Sequence, residues 1–132
     1  MSPKTVGLIV FEQMAAADLA GPAEVFSRAN ISNGNGCESS CYNVLILGLT
    51  TEPCMTECGI VVKPHTDIGS ASPLDTVIIS GGNGIRDGKV TKKVAKWLNH
   101  RRSTTRRIVA NHHQRPVLVR RTEEEILVFS VS

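Results

Sequence analysis

The apolar residues of this chain gather into short, nearly unbroken runs, and the segments between them carry apolar residues at helical spacing. Val6-Gly7-Leu8-Ile9-Val10-Phe11, Tyr42 to Leu49 and Thr76-Val77-Ile78-Ile79-Ser80 are runs of the first kind. Apolar runs without alternation suit strands buried on both faces, the habit of parallel sheets. The first is read as the central strand. Met14 to Ala29 is Ala-rich, with Leu19, Val25, Phe26 and Ala29 at helix-compatible intervals and Asn30 as its stop. Gly21-Pro22 inside it predicts a kink, or a restart with Pro22 in the first turn. A second helix is predicted over Val90 to Arg102, where Val90, Val94, Trp97 and Leu98 form one apolar stripe and Lys92, Lys93 and Lys96 face water.

The punctuation between these elements is clear. Ile31 to Ser40, containing Asn33-Gly34-Asn35-Gly36, has the content of a surface loop. Thr51-Glu52-Pro53 reads as a turn and Gly59 to Lys63 as a strand ended by Pro64, which leaves Cys54 to Cys58 in a small excursion at one edge. Ile108-Val109-Ala110 begins a further strand. Strands alternating with helices predict an open, mostly parallel α/β sheet with flanking helices, with ligands outside the carboxyl ends of its strands. After Ala110 the pattern changes. Asn111 to Pro116 is polar, and Val117-Leu118-Val119 and Ile126-Leu127-Val128-Phe129 read as two hairpin strands around Arg120 to Glu125. No helix is predicted there, so the sheet is expected to be incomplete at its carboxyl end.

Bulk properties narrow the class. A length of 132 residues supports one domain, and 41% hydrophobic with 20% charged residues is ordinary for a globular protein. Aromatic residues make up only 4%, so the core must rest on Val, Ile, Leu and Ala. No apolar run is long enough to cross a bilayer and no signal-peptide pattern is present, which predicts a cytoplasmic protein without a membrane partner. The net charge of +3 owes much to Arg101, Arg102, Arg106, Arg107, Arg115, Arg120 and Arg121. Such a cluster can contact phosphates, but without aromatic interleaving or a reading helix the preferred expectation is a solvated helix end.

Four cysteines form two pairs, Cys37 with Cys41 and Cys54 with Cys58. Their spacing permits a thiolate zinc site without being diagnostic of one, and reduced, unlinked thiols are preferred for a cytosolic chain. No metal or cofactor is expected.

Two features carry candidate chemistry. Gly81-Gly82-Asn83-Gly84 follows a strand directly, but the dinucleotide fingerprint fails because Asp87 stands where its third glycine belongs. The turn either aims backbone N–H groups at an anion or oxyanion, or needs glycine only for its backbone angles. Asp18 lies among Ala15, Ala16, Ala17, Leu19 and Ala20. It either caps the helix or serves as a pocket carboxylate.

Together, Val6 to Phe11, the segment Asp18-Leu19-Ala20-Gly21-Pro22-Ala23-Glu24-Val25-Phe26, and Pro73-Leu74-Asp75-Thr76 with Gly81-Gly82-Asn83-Gly84 resemble the ThiJ/PfpI superfamily, relatives of the class I glutamine amidotransferases. Within it, the chain is most similar to isonitrile hydratase-like enzymes and to the amino-terminal domain of AraC-type transcription regulators. The resemblance covers residues 6 to about 110 and implies a flavodoxin-like sheet. It divides the chain into residues 1–110, the amino-terminal part of such a domain, and residues 111–132, a divergent tail. It also implies that Asp18 occupies the family's acidic position, facing a cysteine on a strand-to-helix elbow, and that Gly82, with Asn83, supplies oxyanion-hole N–H groups.

That cysteine is absent. The elbow should follow Ile108 to Ala110, where Asn111-His112-His113-Gln114 stands, and His112 or His113 alone would be a base without a nucleophile. One cause for the joint loss of elbow and helix is a departure of the reading frame at about residue 110. Translating the gene's other two frames beyond that codon tests this. If neither encodes an elbow followed by a helix, the idea fails.

Three functions follow as expectations. The first is a non-catalytic ligand-sensing domain of an AraC-type regulator, with Asp18, Gly81, Gly82, Asn83 and Gly84 as its pocket, no catalytic residue and a small molecule as partner. In this reading the chain binds no DNA directly, DNA being reached only through a carboxyl-terminal helix-turn-helix module. The second is a PfpI-like cysteine enzyme that has lost its nucleophile. The third is a structural fragment that self-associates through an exposed sheet edge, and a homo-oligomer is expected.

Overall fold

The computed structural model describes residues 3–32, 38–101, 103–111 and 126–129. Its spine is a six-stranded sheet in which every neighbouring pair is parallel. Strand β1 (Lys4–Val10) leads into helix α1 (Ala16–Arg28), followed by the short strands β2 (Asn30–Ser32) and β3 (Glu38–Ser40) and by β4 (Tyr42–Gly48). Then come β5 (Cys54–Met55), β6 (Val61–Val62), β7 (Thr66–Asp67), β8 (Thr76–Ile79), helix α2 (Gly88–Arg101), β9 (Arg107–Asn111) and β10 (Ile126–Phe129). The main sheet has the order β10-β9-β8-β1-β4-β7, so β1 is central as expected.

Successive strands step from β1 through β4 to β7 on one side, and from β8 through β9 to β10 on the other. Right-handed crossovers in opposite directions put α1 and α2 on opposite faces. Phe26 of α1 meets Tyr42 edge-on at 4.9 Å. Tyr42 is in register with Lys4, so α1 covers the face that bears Val6, Leu8 and Val10. On the other face, a Cβ on Gly7 would come within 2.8 Å of Leu74, and the α2 residues Val94, Trp97 and Leu98 are buried. The Trp97 Nε1–H donates to the Ile68 carbonyl at 2.7 Å, and Arg101 donates to the carbonyls of Ala71 and Ser72. These bonds fasten α2 to the segment that enters β8.

Several expectations are corrected. α1 is one continuous helix through Pro22, so the helix does not restart there. Pro22 has no N–H to bond the Asp18 carbonyl one turn back. The helix stops at Arg28, where Ala29 donates to Phe26, and Asn30 already belongs to β2. The segment expected to be a plain loop contains an antiparallel pair, with Asn30 opposite Ser40 and Ser32 opposite Glu38; the Asn-Gly repeat between them lies outside the described residues. The strand expected over Gly59 to Lys63 shrinks to Val61–Val62 and pairs with Cys54–Met55 as a separate hairpin. β10 joins the main sheet parallel to β9, with Ile126 opposite Ile108, and its expected hairpin partner Val117 to Val119 lies outside the described residues. No helix among the described residues is long and apolar enough to cross a membrane.

Candidate functional site

The direction of chain travel reverses between β1 and β8, which makes the gap beyond their carboxyl ends the topological switch point where open α/β sheets take ligands. Three segments meet there. They are the turn from Phe11 to Ala15, the first turn of α1, and Ser80 to Gly84.

Asp18 is the third residue of α1 and only 3% exposed. Its carboxylate does not cap the helix. The N-cap is Ala15, which has no side-chain cap, and Asp18 Oδ2 instead accepts the Gly81 N–H at 2.9 Å. The Gly81 carbonyl accepts the Ala15 N–H at 2.8 Å, so one peptide unit clamps the start of α1 to the end of β8 from both sides. A carboxylate in the first helical turn is also favoured by the helix dipole.

The glycine turn is shaped by close approach. Gly82 has φ +118°, and a Cβ there would lie 2.5 Å from the Ala15 nitrogen. The Gly84 N–H donates to the Gln13 carbonyl at 3.0 Å, and a side chain on Gly84 would drive into the Glu12 backbone. Gly82 and Gly84 both serve the turn's geometry, and the Gly81 N–H is engaged by Asp18. Among the described residues no hydrogen bond takes up the N–H groups of Gly82 and Asn83, the two positions that the resemblance assigned to an oxyanion.

Sequence reasoning passed over Ser80. In β8, Thr76 and Ile78 are in register with Val6 and Leu8, so strand alternation sends Ser80 toward the α1 face, on the same side as Asp18. It is 2% exposed, and its hydroxyl has no hydrogen-bond partner among the described residues. Buried hydroxyls are nearly always paired, and Ser80 shares this lack with Thr105 but is the one that adjoins the Asp18–Gly81 clamp. The available signal was a lone hydroxyl closing the otherwise apolar run Val77-Ile78-Ile79.

The cysteines are dispersed. Cys41 precedes β4, at the amino end of the strands and opposite to the Asp18 site, while Cys54 and Cys58 sit on the β5–β6 hairpin. That hairpin is stitched to the site loop. Gln13 donates to the Met55 carbonyl at 2.7 Å, Met55 donates to the Glu12 carboxylate at 3.0 Å, and Glu57 donates to the Met14 carbonyl at 2.9 Å. Burial, with the nearby Glu12 carboxylate, pushes the Cys54 thiol up from its ordinary value. The exposed Cys58 thiol is held down, chiefly by the Thr56 hydroxyl 3.4 Å away. Among the described residues no group of three or more His, Cys, Asp or Glu is placed to hold a metal ion. Cys37, His112 and His113 lie outside the described residues.

No family model matches this chain. A Streptomyces lividans protein described as "Uncharacterized protein in cpoL 5'region" is 33% identical over 102 residues, 75% of this chain and 68% of that protein, and the two belong to one family. Among solved structures, a THiJ/PfpI family protein from Pseudomonas syringae superposes with TM-score 0.70 at 17% identity, over 84% of this chain and 43% of that one. The chain has the ThiJ/PfpI superfamily fold. Drosophila melanogaster DJ-1beta gives TM-score 0.66 at 20% identity, covering 83% of this chain and 55% of its own. An AraC family transcriptional regulator from Pseudomonas putida gives 0.64 at 16% identity, covering 82% and 56%. The chain thus spans about half the length of these ThiJ/PfpI-fold structures.

Proposed function

We propose that this chain is a non-catalytic, ligand-sensing ThiJ/PfpI domain of the kind carried by AraC-type regulators, with its pocket at the Asp18–Gly81 clamp. The observation that carries the reading is the buried Asp18 carboxylate bonded to the Gly81 N–H at the switch point of the sheet. Next to it in the chain are the Ser80 hydroxyl and the N–H groups of Gly82 and Asn83, which find no partner among the described residues. Donors of this kind suit a small polar molecule that presents an acceptor. Sensing is favoured over catalysis because none of Cys41, Cys54 and Cys58 stands at the end of β9, where an elbow would be built. The likeness to the Pseudomonas putida regulator supports the same reading at the level of the fold.

The test is a thermal-shift screen of the full chain against small amides, amino acids and hydroxy acids, repeated on Asp18→Ala. A compound that raises the melting temperature of the parent but not of the variant supports the pocket. Hits that stabilise both equally, or hydrolysis of an amide by the parent chain, count against it.

A further inference from the structure

The charge of this chain is concentrated in one place. Residues 86–107 hold nine Lys and Arg and a single acid, Asp87, whereas the rest of the chain holds six basic and eleven acidic residues. A local excess of this size, set in a remainder of opposite sign, is unlike an evenly solvated surface.

The fold turns this excess into a line. At 100° per residue, Lys89, Lys92, Lys96 and His100 of α2 fall within an arc of about 80° and extend over about 16 Å of helix. All four are exposed, and α2 contains no acidic residue. The helix's other long cations are committed elsewhere. Lys93 donates to the Leu49 carbonyl at 3.0 Å, and Arg101 holds the carbonyls of Ala71 and Ser72 beside Trp97. Among the described residues Lys89, Lys92 and Lys96 make no ion pair, although ion pairs do form elsewhere, as between Arg28 and Glu24 and between Arg106 and Asp75.

We infer that the exposed stripe of α2 binds the phosphodiester backbone of double-stranded DNA without reading its sequence. Duplex DNA offers one charge per about 1.7 Å of axis, so a straight row of cations on a rigid helix can meet several phosphates at once and release their counterions. A lipid surface is disfavoured as the occupant because the apolar side chains of α2 are spent on the sheet, leaving Ala95 and Asn99 beside the lysines with nothing to insert. Single strands are disfavoured because Trp97, the one Phe, Tyr or Trp of the helix, is buried and offers no stacking platform. The sequence expectation of no direct DNA binding rested on the lack of aromatic interleaving and of a reading helix, and contacts to the phosphates of a duplex need neither. This inference is independent of the Asp18 pocket.

Binding of a labelled duplex of about 30 base pairs to the full chain, followed by anisotropy between about 50 and 200 mM salt, tests it. The expected result is a log–log slope near −3, for three engaged lysines at about 0.9 ions each. Replacing Lys89, Lys92 and Lys96 with Gln should weaken low-salt affinity at least about tenfold and flatten most of that slope. The corresponding Lys→Arg variant should bind as the parent does, as should a Lys4→Gln, Lys63→Gln control. Circular dichroism establishes that each variant is folded; should the Gln variant unfold, the parent's slope and the Arg variant decide. No duplex binding by the parent, a slope untouched in a folded Gln variant, or tighter binding to single strands or phosphatidylserine vesicles than to duplex would each overturn the inference.

Discussion

The carboxylate of Asp18 and the backbone N–H of Gly81 meet at 2.9 Å across 63 residues of chain. Removing the acceptor leaves a buried N–H without a partner, which costs about 1–3 kcal/mol. Asp18→Ala is expected to lower stability by that amount in chemical denaturation. Asp18→Asn retains an acceptor oxygen and should recover part of the loss.

Two glycines predict opposite outcomes. Gly82→Ala forces a side chain into a backbone at φ +118° and to 2.5 Å from the Ala15 nitrogen, so a loss of about 2 kcal/mol or more is expected. A Cβ on Gly21 would meet nothing within 4 Å, and it lies inside α1. Gly21→Ala should therefore stabilise by about 0.5–1 kcal/mol. Paired urea melts separate the two.

The hairpin thiols should differ in reactivity. Cys58 has its pKa lowered by the Thr56 hydroxyl, so its thiolate, the reactive form, gains population as pH rises earlier than for an ordinary thiol. Cys54 has its pKa raised by burial and forms thiolate later. Iodoacetamide at neutral pH should label Cys58 well before Cys54, with mass spectrometry as the readout. Thr56→Val should move the pH–rate profile of Cys58 upward.

Trp97→Phe keeps the ring against the sheet but removes the donor to the Ile68 carbonyl. A loss of about 1–2 kcal/mol is expected, since the carbonyl is left unpaired in a buried setting. Loosening of the segment entering β8 should appear as faster amide exchange at Ser70, whose N–H donates to Asp67.

Two of the strands that sequence patterning identified are buried on both sides. Val6 to Val10 and Thr76 to Ile79 are buried at every position, so an unbroken apolar run was a sufficient sign. β4 obeyed the same rule less strictly, with only Leu47 and Gly48 fully buried. α2 was visible because Val94, Trp97 and Leu98 do face the core, with Val90 packed at its margin. β7 left no trace, since a polar two-residue strand is held by backbone pairing to Leu47 and Gly48, and side chains carry little of that information. In the site, an acid among alanines and a glycine turn were each conspicuous. Their direct contact was not legible, because it depends on the register that brings Ile79 beside Ile9. Ser80 escaped notice because a hydroxyl at a strand end is common; its lack of a partner among the described residues is visible only in three dimensions.

The reversal of strand order between β1 and β8 also bears on how the molecule assembles. β1 and β4 are joined through α1, and β8 and β9 through α2, so each half can form from contacts close in sequence. The seam from Val6 to Thr76 closes a longer loop, nearly twice that from Val6 to Val44, whose entropy must be met before its contacts repay it. The Asp18–Gly81 bond lies across that seam. A chain with both halves formed but the seam open would have native-like helices without the Asp18–Gly81 contact, so protection of the Gly81 amide from exchange should appear only in the last kinetic phase of refolding.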